Sequence, residues 1–232
     1  MEVFWGGYFI ITPVVRPDYM DKQLIPDTIL SASDCICDFH PEIDVLWGRS
    51  KEAKHQYIKR LNISQSTYEE MENWIGSKFE EGIFAYPQVF TTIELAKEFL
   101  HKYLSHLSDV KIIGIGLTEK YIDKFIEYEE PLNIQENQYG IEKLLLNRIL
   151  VEEKDSKFMG YEILGYEFGA FHSYLCNGLE KDFNEHFKFR LNKNGFIPSP
   201  EDAARYCEYS NGEDVGTEPV LWLPWAIYEY TK

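Results

Sequence analysis

The run from Val110 to Leu117 (VKIIGIGL) constrains the fold more than any other segment. It is rich in β-branched residues and too short for a buried helix, so it predicts a buried strand. Gly114 and Gly116 resemble the start of a dinucleotide-binding loop, but the third glycine position is Glu119, whose carboxylate would repel a pyrophosphate. We therefore interpret these glycines as places where the strand approaches a neighbour closely.

Helix start signals occur at three places in the chain. Ser66–Glu69 and Thr91–Glu94 have the capping-box pattern, in which a hydroxyl residue is followed three positions later by a glutamate. Ser199–Asp202 combines a serine cap, a first-turn proline and two acids at the positive end of the helix dipole, and this helix should end before Asn211. Apolar periodicity adds predicted helices over 51–60, 119–128, 141–149 and 173–187.

Strand-like runs lie between these predicted helices, over 3–12, 159–168 and 219–231. Pro224 should break the last run or restrict it to a sheet edge, because proline lacks the N–H that a central strand donates. The order of elements lacks a strict βαβ rhythm. It predicts an α+β fold with a mixed or antiparallel sheet packed with several amphipathic helices. We expect one domain over 1–232, and the segment 131–140 fits either a surface loop or a boundary between two lobes.

The charge balance excludes several classes of partner. The chain has 23 basic and 39 acidic residues, and 23 − 39 gives a formal charge of −16. A field of this sign repels nucleic acid and anionic membrane surfaces and favours cationic partners. The sequence lacks a long apolar run, a basic signal-peptide region and a cysteine-rich disulfide pattern. We therefore expect a cytoplasmic protein with reduced thiols; the sequence carries no signal for an oligomeric state.

The acidic residues are concentrated near the C-terminus. Between Glu201 and Glu218 there are six acids against Arg205 alone, and Asn211-Gly212 predicts an exposed loop there. Acids flanked by rigid aromatic side chains form a surface suited to a basic partner. The bland interpretation is that the acids only solvate the surface and the aromatics fill the core. The predicted partner-binding residues are Glu208, Glu213, Asp214, Glu218, Trp222 and Trp225.

His172 and Cys176 form the most enzyme-like pair in the sequence. They stand four residues apart near the start of the predicted helix 173–187, where a thiol pKa is lowered and an imidazole can assist a nucleophile. The alternative function is thus a cysteine-dependent hydrolase or acyl transferase. The competing interpretation is a core position, because both residues fall within the apolar arc of that helix.

Cys35, Cys37 and His40 form a weak candidate metal site. Zinc sites space paired cysteines by two or more residues, whereas one residue separates this pair, and no second pair completes four ligands. We favour two buried thiols on one face of a strand. The sequence predicts neither a metal nor an organic cofactor.

Three C-terminal stretches resemble parts of a known class of protein. They are 160–166 (GYEILGY), 172–179 (HSYLCNGL) and 222–225 (WLPW). They resemble small acidic immunity-type proteins encoded beside secreted toxins in Gram-positive bacteria. The resemblance implies a cytoplasmic inhibitor that binds a toxin and has no catalysis of its own, and it assigns no residue a role.

Overall fold

The computed structural model describes residues 2–37, 50–81, 84–85, 89–129, 141–151, 155–167, 170–213, 215 and 217–231. The segment 131–140 lies outside this part of the chain, as do His40 and Asp214. The helices are α1 Lys51–Leu61, α2 Gln65–Glu80, α3 Ile93–Phe99, α4 Glu119–Glu129, α5 Ile141–Leu146, α6 Leu179–His186 and α7 Pro200–Ser210. A π-helical turn, Leu100–Leu104, continues α3, and a 3₁₀ turn, Tyr174–Asn177, precedes α6.

The strands are β1 Phe4–Ile11, β2 Val14–Val15, β3 Thr28–Ile29, β4 Phe84–Ala85, β5 Val89–Phe90, β6 Lys111–Leu117, β7 Ser156–Glu167, β8 Ala170–Ser173 and β9 Trp222–Tyr230. Seven of them form one sheet in the order β4-β5-β1-β6-β9-β7-β8, while β2 and β3 pair separately. Every neighbouring pair in the larger sheet is antiparallel. The predicted α+β fold with an antiparallel sheet and helices is confirmed.

The sheet is covered on both faces by helices. One apolar core contains side chains from α1 to α5, with Phe99, Phe125 and Trp225 fully buried in it. The other contains side chains from α6 and α7, with Phe183, Tyr206 and Trp222 fully buried. Helices α6 and α7 thus form their own layer on one face of the sheet.

Strand β6 lies near the middle of the sheet, as its composition predicts. Ile112, Ile113 and Ile115 are wholly buried between the two layers. A Cβ atom added at Gly114 would overlap the ring of Trp5 on β1, and one added at Gly116 would lie 2.5 Å from the Phe4 carbonyl oxygen. The interpretation of both glycines as points of close approach is confirmed.

Strand β9 runs without a break through Pro224, so the predicted interruption is wrong. It pairs with β7 over its whole length, but its pairing with β6 covers Ala226–Tyr230. Pro224 therefore lies beyond the end of the β6 ladder, where no other described strand pairs with that side of β9. A proline fits there without loss of a sheet hydrogen bond.

Candidate functional site

A surface groove between α6 and α7 brings part of the predicted acidic surface together with aromatic side chains. We call it the α6–α7 groove; it encloses about 390 Å³ and is lined by Phe187, Arg205, Glu208, Tyr209, Gly212, Glu213 and Val215. Helix α7 contributes Arg205, Glu208 and Tyr209, and Ser199 caps this helix, its Oγ accepting from the Asp202 N–H at 3.1 Å. The cap fixes where the helix begins, and the packing of Tyr206 on Phe183 sets which side of it faces α6.

Aromatic packing anchors the groove to the core. Tyr206 stacks on Phe183 of α6, with ring centroids 4.6 Å apart and planes 11° from parallel. Tyr209 follows three residues later on the same side of α7, and its ring lies 5.0 Å from His186 and 5.8 Å from Phe187. Tyr206 is buried, whereas Tyr209 and Phe187 are partly exposed. The groove is therefore the outer edge of a rigid aromatic stack.

The groove is rich in carboxylates. Glu208 and Glu213 are exposed, and neither forms an ion pair within the described residues. Partial burial raises the pKa of the Tyr209 hydroxyl, and the negative charges of Asp182 and Glu185 on α6 raise it further. The four carboxylates of Asp182, Glu185, Glu208 and Glu213 place negative charge near the Tyr209 and Phe187 rings, which favours a cation there.

Arg205 provides a cation inside the groove. Its guanidinium carbon lies 5.7 Å from the centre of the Phe187 ring, in cation–π geometry. The same side chain forms an exposed ion pair with Asp202 at 3.4 Å. The Phe187 face thus accommodates a guanidinium group in the free chain.

The two predicted tryptophan anchors do not contribute to the surface. Trp222 and Trp225 are 0% exposed. They stand three positions apart on β9, and because successive side chains of a strand alternate between its faces, they point to opposite faces of the sheet. Their expected role as contact residues is corrected to a core role. Glu218 is half-buried, and its Oε2 has no hydrogen-bond partner within the described residues.

The predicted Cys176–His172 pair is not assembled in the structure. Cys176 forms a disulfide with Cys35, with a Cα–Cα distance of 6.7 Å, so it is not a free thiol. His172 lies on strand β8, where its Nε2 is 4.0 Å from Glu167 Oε2. The predicted helix over 173–187 is wrong in its first part: Gly178 adopts a left-handed φ of 70° and separates the 3₁₀ turn from α6.

The disulfide also corrects the expectations for the N-terminal cysteines. Cys35 is exposed in a turn, whereas Cys37 is wholly buried, so the two do not share a strand face. The expectation of reduced thiols is wrong for Cys35 and Cys176, and the candidate metal site loses Cys35 as a ligand. Backbone pairing brings the partners together, since Asp34 N–H donates to the Phe171 carbonyl oxygen at 3.0 Å.

Sequence reasoning missed Phe187, Tyr209 and Arg205. The spacing of Tyr206 and Tyr209 on a helix that begins at Ser199 indicates a shared face, which was a usable signal. The position of Phe187 was not predictable, because it depends on how α6 packs against α7.

Comparisons with known proteins give the chain no family. No protein-family model matches it, and no curated protein or solved structure does either. Among the described residues, the helices are all too short or too polar to cross a membrane.

Proposed function

We propose that this chain is a binding protein whose α6–α7 groove receives basic side chains of a protein partner. The observation that carries the proposal is the Arg205 guanidinium over Phe187 in a groove edged by Glu208 and Glu213. The α6–α7 groove thus already holds a guanidinium group, which is the group that an arginine of a basic partner would present. Aromatic faces and carboxylates around one concave surface bind a guanidinium by cation–π attraction and charge pairing.

The overall charge supports the same proposal through the kinetics of association. A chain of formal charge −16 attracts a basic protein at long range, and the rigid aromatic rim supplies short-range contacts. An immunity-type inhibitor of a basic toxin is one protein of this description. The resemblance of the C-terminal stretches supports that form of the proposal.

A matched pair of variants tests the groove. We expect Glu208→Gln/Glu213→Gln to weaken the binding of a fluorescent oligo-arginine peptide, measured by anisotropy at low salt. Each exposed charge pair contributes roughly 0.2–1 kcal/mol, so the double change should raise the Kd about 2- to 30-fold. The control is Glu80→Gln/Glu127→Gln, which removes two exposed carboxylates of α2 and α4 and changes the net charge equally.

The control separates a local site from general attraction. Equal weakening by both double variants would show that the peptide responds to net charge alone, and the groove assignment would be wrong. Selective weakening by the groove variant supports the proposal. The same variants can then be used to ask whether a candidate toxin depends on the groove.

A further inference from the structure

A second groove lies on the other side of α7, between that helix and α4. We call it the α4–α7 groove; it encloses about 610 Å³, and its lining includes Lys120, Lys124, Glu208, Ala204, Leu221 and Leu223. An adjoining cavity of about 430 Å³ shares Lys120, Tyr121 and Ala204 with it. Volumes of a few hundred cubic ångströms are typical of small-molecule sites.

The charges of this groove contrast with those of the chain as a whole. Lys120 and Lys124 stand one turn apart on α4, both exposed, and so lie on the same side of the helix. Neither forms an ion pair with a carboxylate in the described part of the chain. Lys120 Nζ instead lies 5.3 Å from the centre of the Tyr121 ring. These two ammonium groups outnumber Glu208, the one carboxylate in the lining, and therefore favour an anion at this concave surface.

Apart from Glu208 and the Tyr121 ring, the rest of the lining is apolar or hydrogen-bonded within the fold. Leu223 is buried on β9, and Leu221 and Ala204 are partly exposed beside it. The Asn211 side chain donates to the Cys207 and Trp222 carbonyl oxygens and accepts from the Trp222 N–H, so its hydrogen bonds are used within the fold. A ligand would therefore contact ammonium groups at one end and hydrocarbon at the other.

The thiol in this groove does not act as a nucleophile. Cys207 Sγ donates to the Trp222 carbonyl oxygen at 3.1 Å, and burial raises the pKa of this thiol to about 12. Lys124 and Lys120 lower that pKa, but burial outweighs them. The thiol thus stays protonated at neutral pH, which favours reversible binding over covalent chemistry.

We propose that the α4–α7 groove binds a small organic anion with an apolar body, such as an aromatic carboxylate or sulfonate. The anionic group lies between Lys120 and Lys124, and the apolar body packs on Ala204, Leu221 and Leu223. This site is distinct from the protein-binding groove, although Glu208 lines both.

Two related fluorescent probes test the proposal on the full chain. Anilinonaphthalene sulfonate has the proposed chemistry, and N-phenylnaphthylamine has the same rings without the anionic group. We expect the anionic probe to bind, and Lys120→Gln/Lys124→Gln to weaken it at least about fivefold while leaving the neutral probe unchanged, since two charge-assisted contacts are lost. The control, Lys181→Gln/Lys188→Gln, removes two exposed lysines outside the groove and should change neither probe.

A second variant tests the location independently of charge. Ala204→Trp should fill the groove and abolish binding of both probes, with far-ultraviolet circular dichroism showing that the fold persists. The proposal is overturned if the anionic probe does not bind, or if the groove and control lysine variants bind it equally. Unchanged binding to a folded Ala204→Trp variant would also overturn it.

Discussion

The two faces of the sheet are covered in different ways. Helices α1 to α5 cover one face, and their buried side chains pack into one apolar core. Only α6 and α7 cover the other face in the described part of the chain, and specific bonds add to the apolar core that joins this layer to the sheet. The Cys35–Cys176 disulfide ties it to the N-terminal segment, and Asn211 ties α7 to β9. Helix α7 of the thinner layer lines both grooves, the second together with α4 of the opposite layer, so concave surface lies along the layer with fewer helices.

The largest effect should come from removing the disulfide. It closes a loop of 141 residues, and the chain-entropy relation gives a contribution of roughly 5 kcal/mol, at the upper end of the usual 2–5 kcal/mol. We expect Cys35→Ser/Cys176→Ser to lower the free energy of unfolding by about that range in urea titrations. Dithiothreitol should have the same effect on the natural chain and no further effect on the variant.

Hydrogen exchange can test whether this loss of stability is confined to the face of the sheet that α6 and α7 cover. After reduction, the amides of α6 should lose protection while those of α3 on the opposite face keep theirs, because local opening follows the weakest tertiary contacts. Equal loss in both helices would show that the two layers unfold together, and the comparison of the faces would fail.

Asn211→Ala should have the next largest effect. It removes two hydrogen bonds between the end of α7 and Trp222 of β9 and one to the Cys207 carbonyl oxygen within α7, and it leaves the Trp222 N–H without its acceptor. We expect a loss of about 1–3 kcal/mol in urea titrations, the cost of an unsatisfied buried polar group. Asn184→Ala, at an exposed position of α6, is the control and should change stability little.

The pH dependence of stability gives a third test of the thinner layer. Glu180 of α6 is fully buried, and burial raises its pKa, with a smaller rise from the charge of Asp21; Lys181 and the Asp21 N–H act in the opposite direction. The folded chain thus holds this proton more tightly than the unfolded chain. Protonation of Glu180 therefore stabilises the fold fully below the ordinary glutamate pKa. This stabilisation is lost as the pH rises through the raised pKa of Glu180 in the folded chain.

Glu180→Gln removes this dependence. We expect the variant to be more stable than the natural chain at neutral pH and to lose that advantage in acid, as measured by urea titrations across the range. Glu185→Gln, on the exposed side of the same helix, should show no such trend. A constant difference between Glu180→Gln and the natural chain at every pH would contradict the assignment.

The smallest expected effect concerns peptide binding in the α6–α7 groove. Tyr209→Ala should weaken oligo-arginine binding about two- to fivefold, because an exposed cation–π contact contributes roughly 0.5–1 kcal/mol. Tyr209→Phe retains the ring and should bind like the natural chain. If the phenylalanine variant binds as weakly as the alanine variant, the hydroxyl and not the ring makes the contact.

The sequence predicted those elements whose signals are local. The Ser199 cap and the β-branched run of β6 were correct because each depends on neighbouring residues. The helix proposed over 173–187 failed because apolar spacing concealed the break at Gly178. The Cys35–Cys176 bond joins residues 141 positions apart, and no local pattern specifies such a pairing. The candidate site was predicted in part: the acids Glu208 and Glu213 follow from composition, whereas the aromatic rim follows from helix packing.

The arginine resting on Phe187 has a consequence for selectivity. An acidic chain attracts polyamines and unrelated basic proteins alike. Any cation that enters the α6–α7 groove is, however, close to the positive charge of Arg205. Simple attraction is therefore partly cancelled at the point of contact, and a tight complex requires a shape that displaces the arginine or fits beside it. Arg205 therefore makes the affinity of a partner depend more on shape complementarity than on its positive charge.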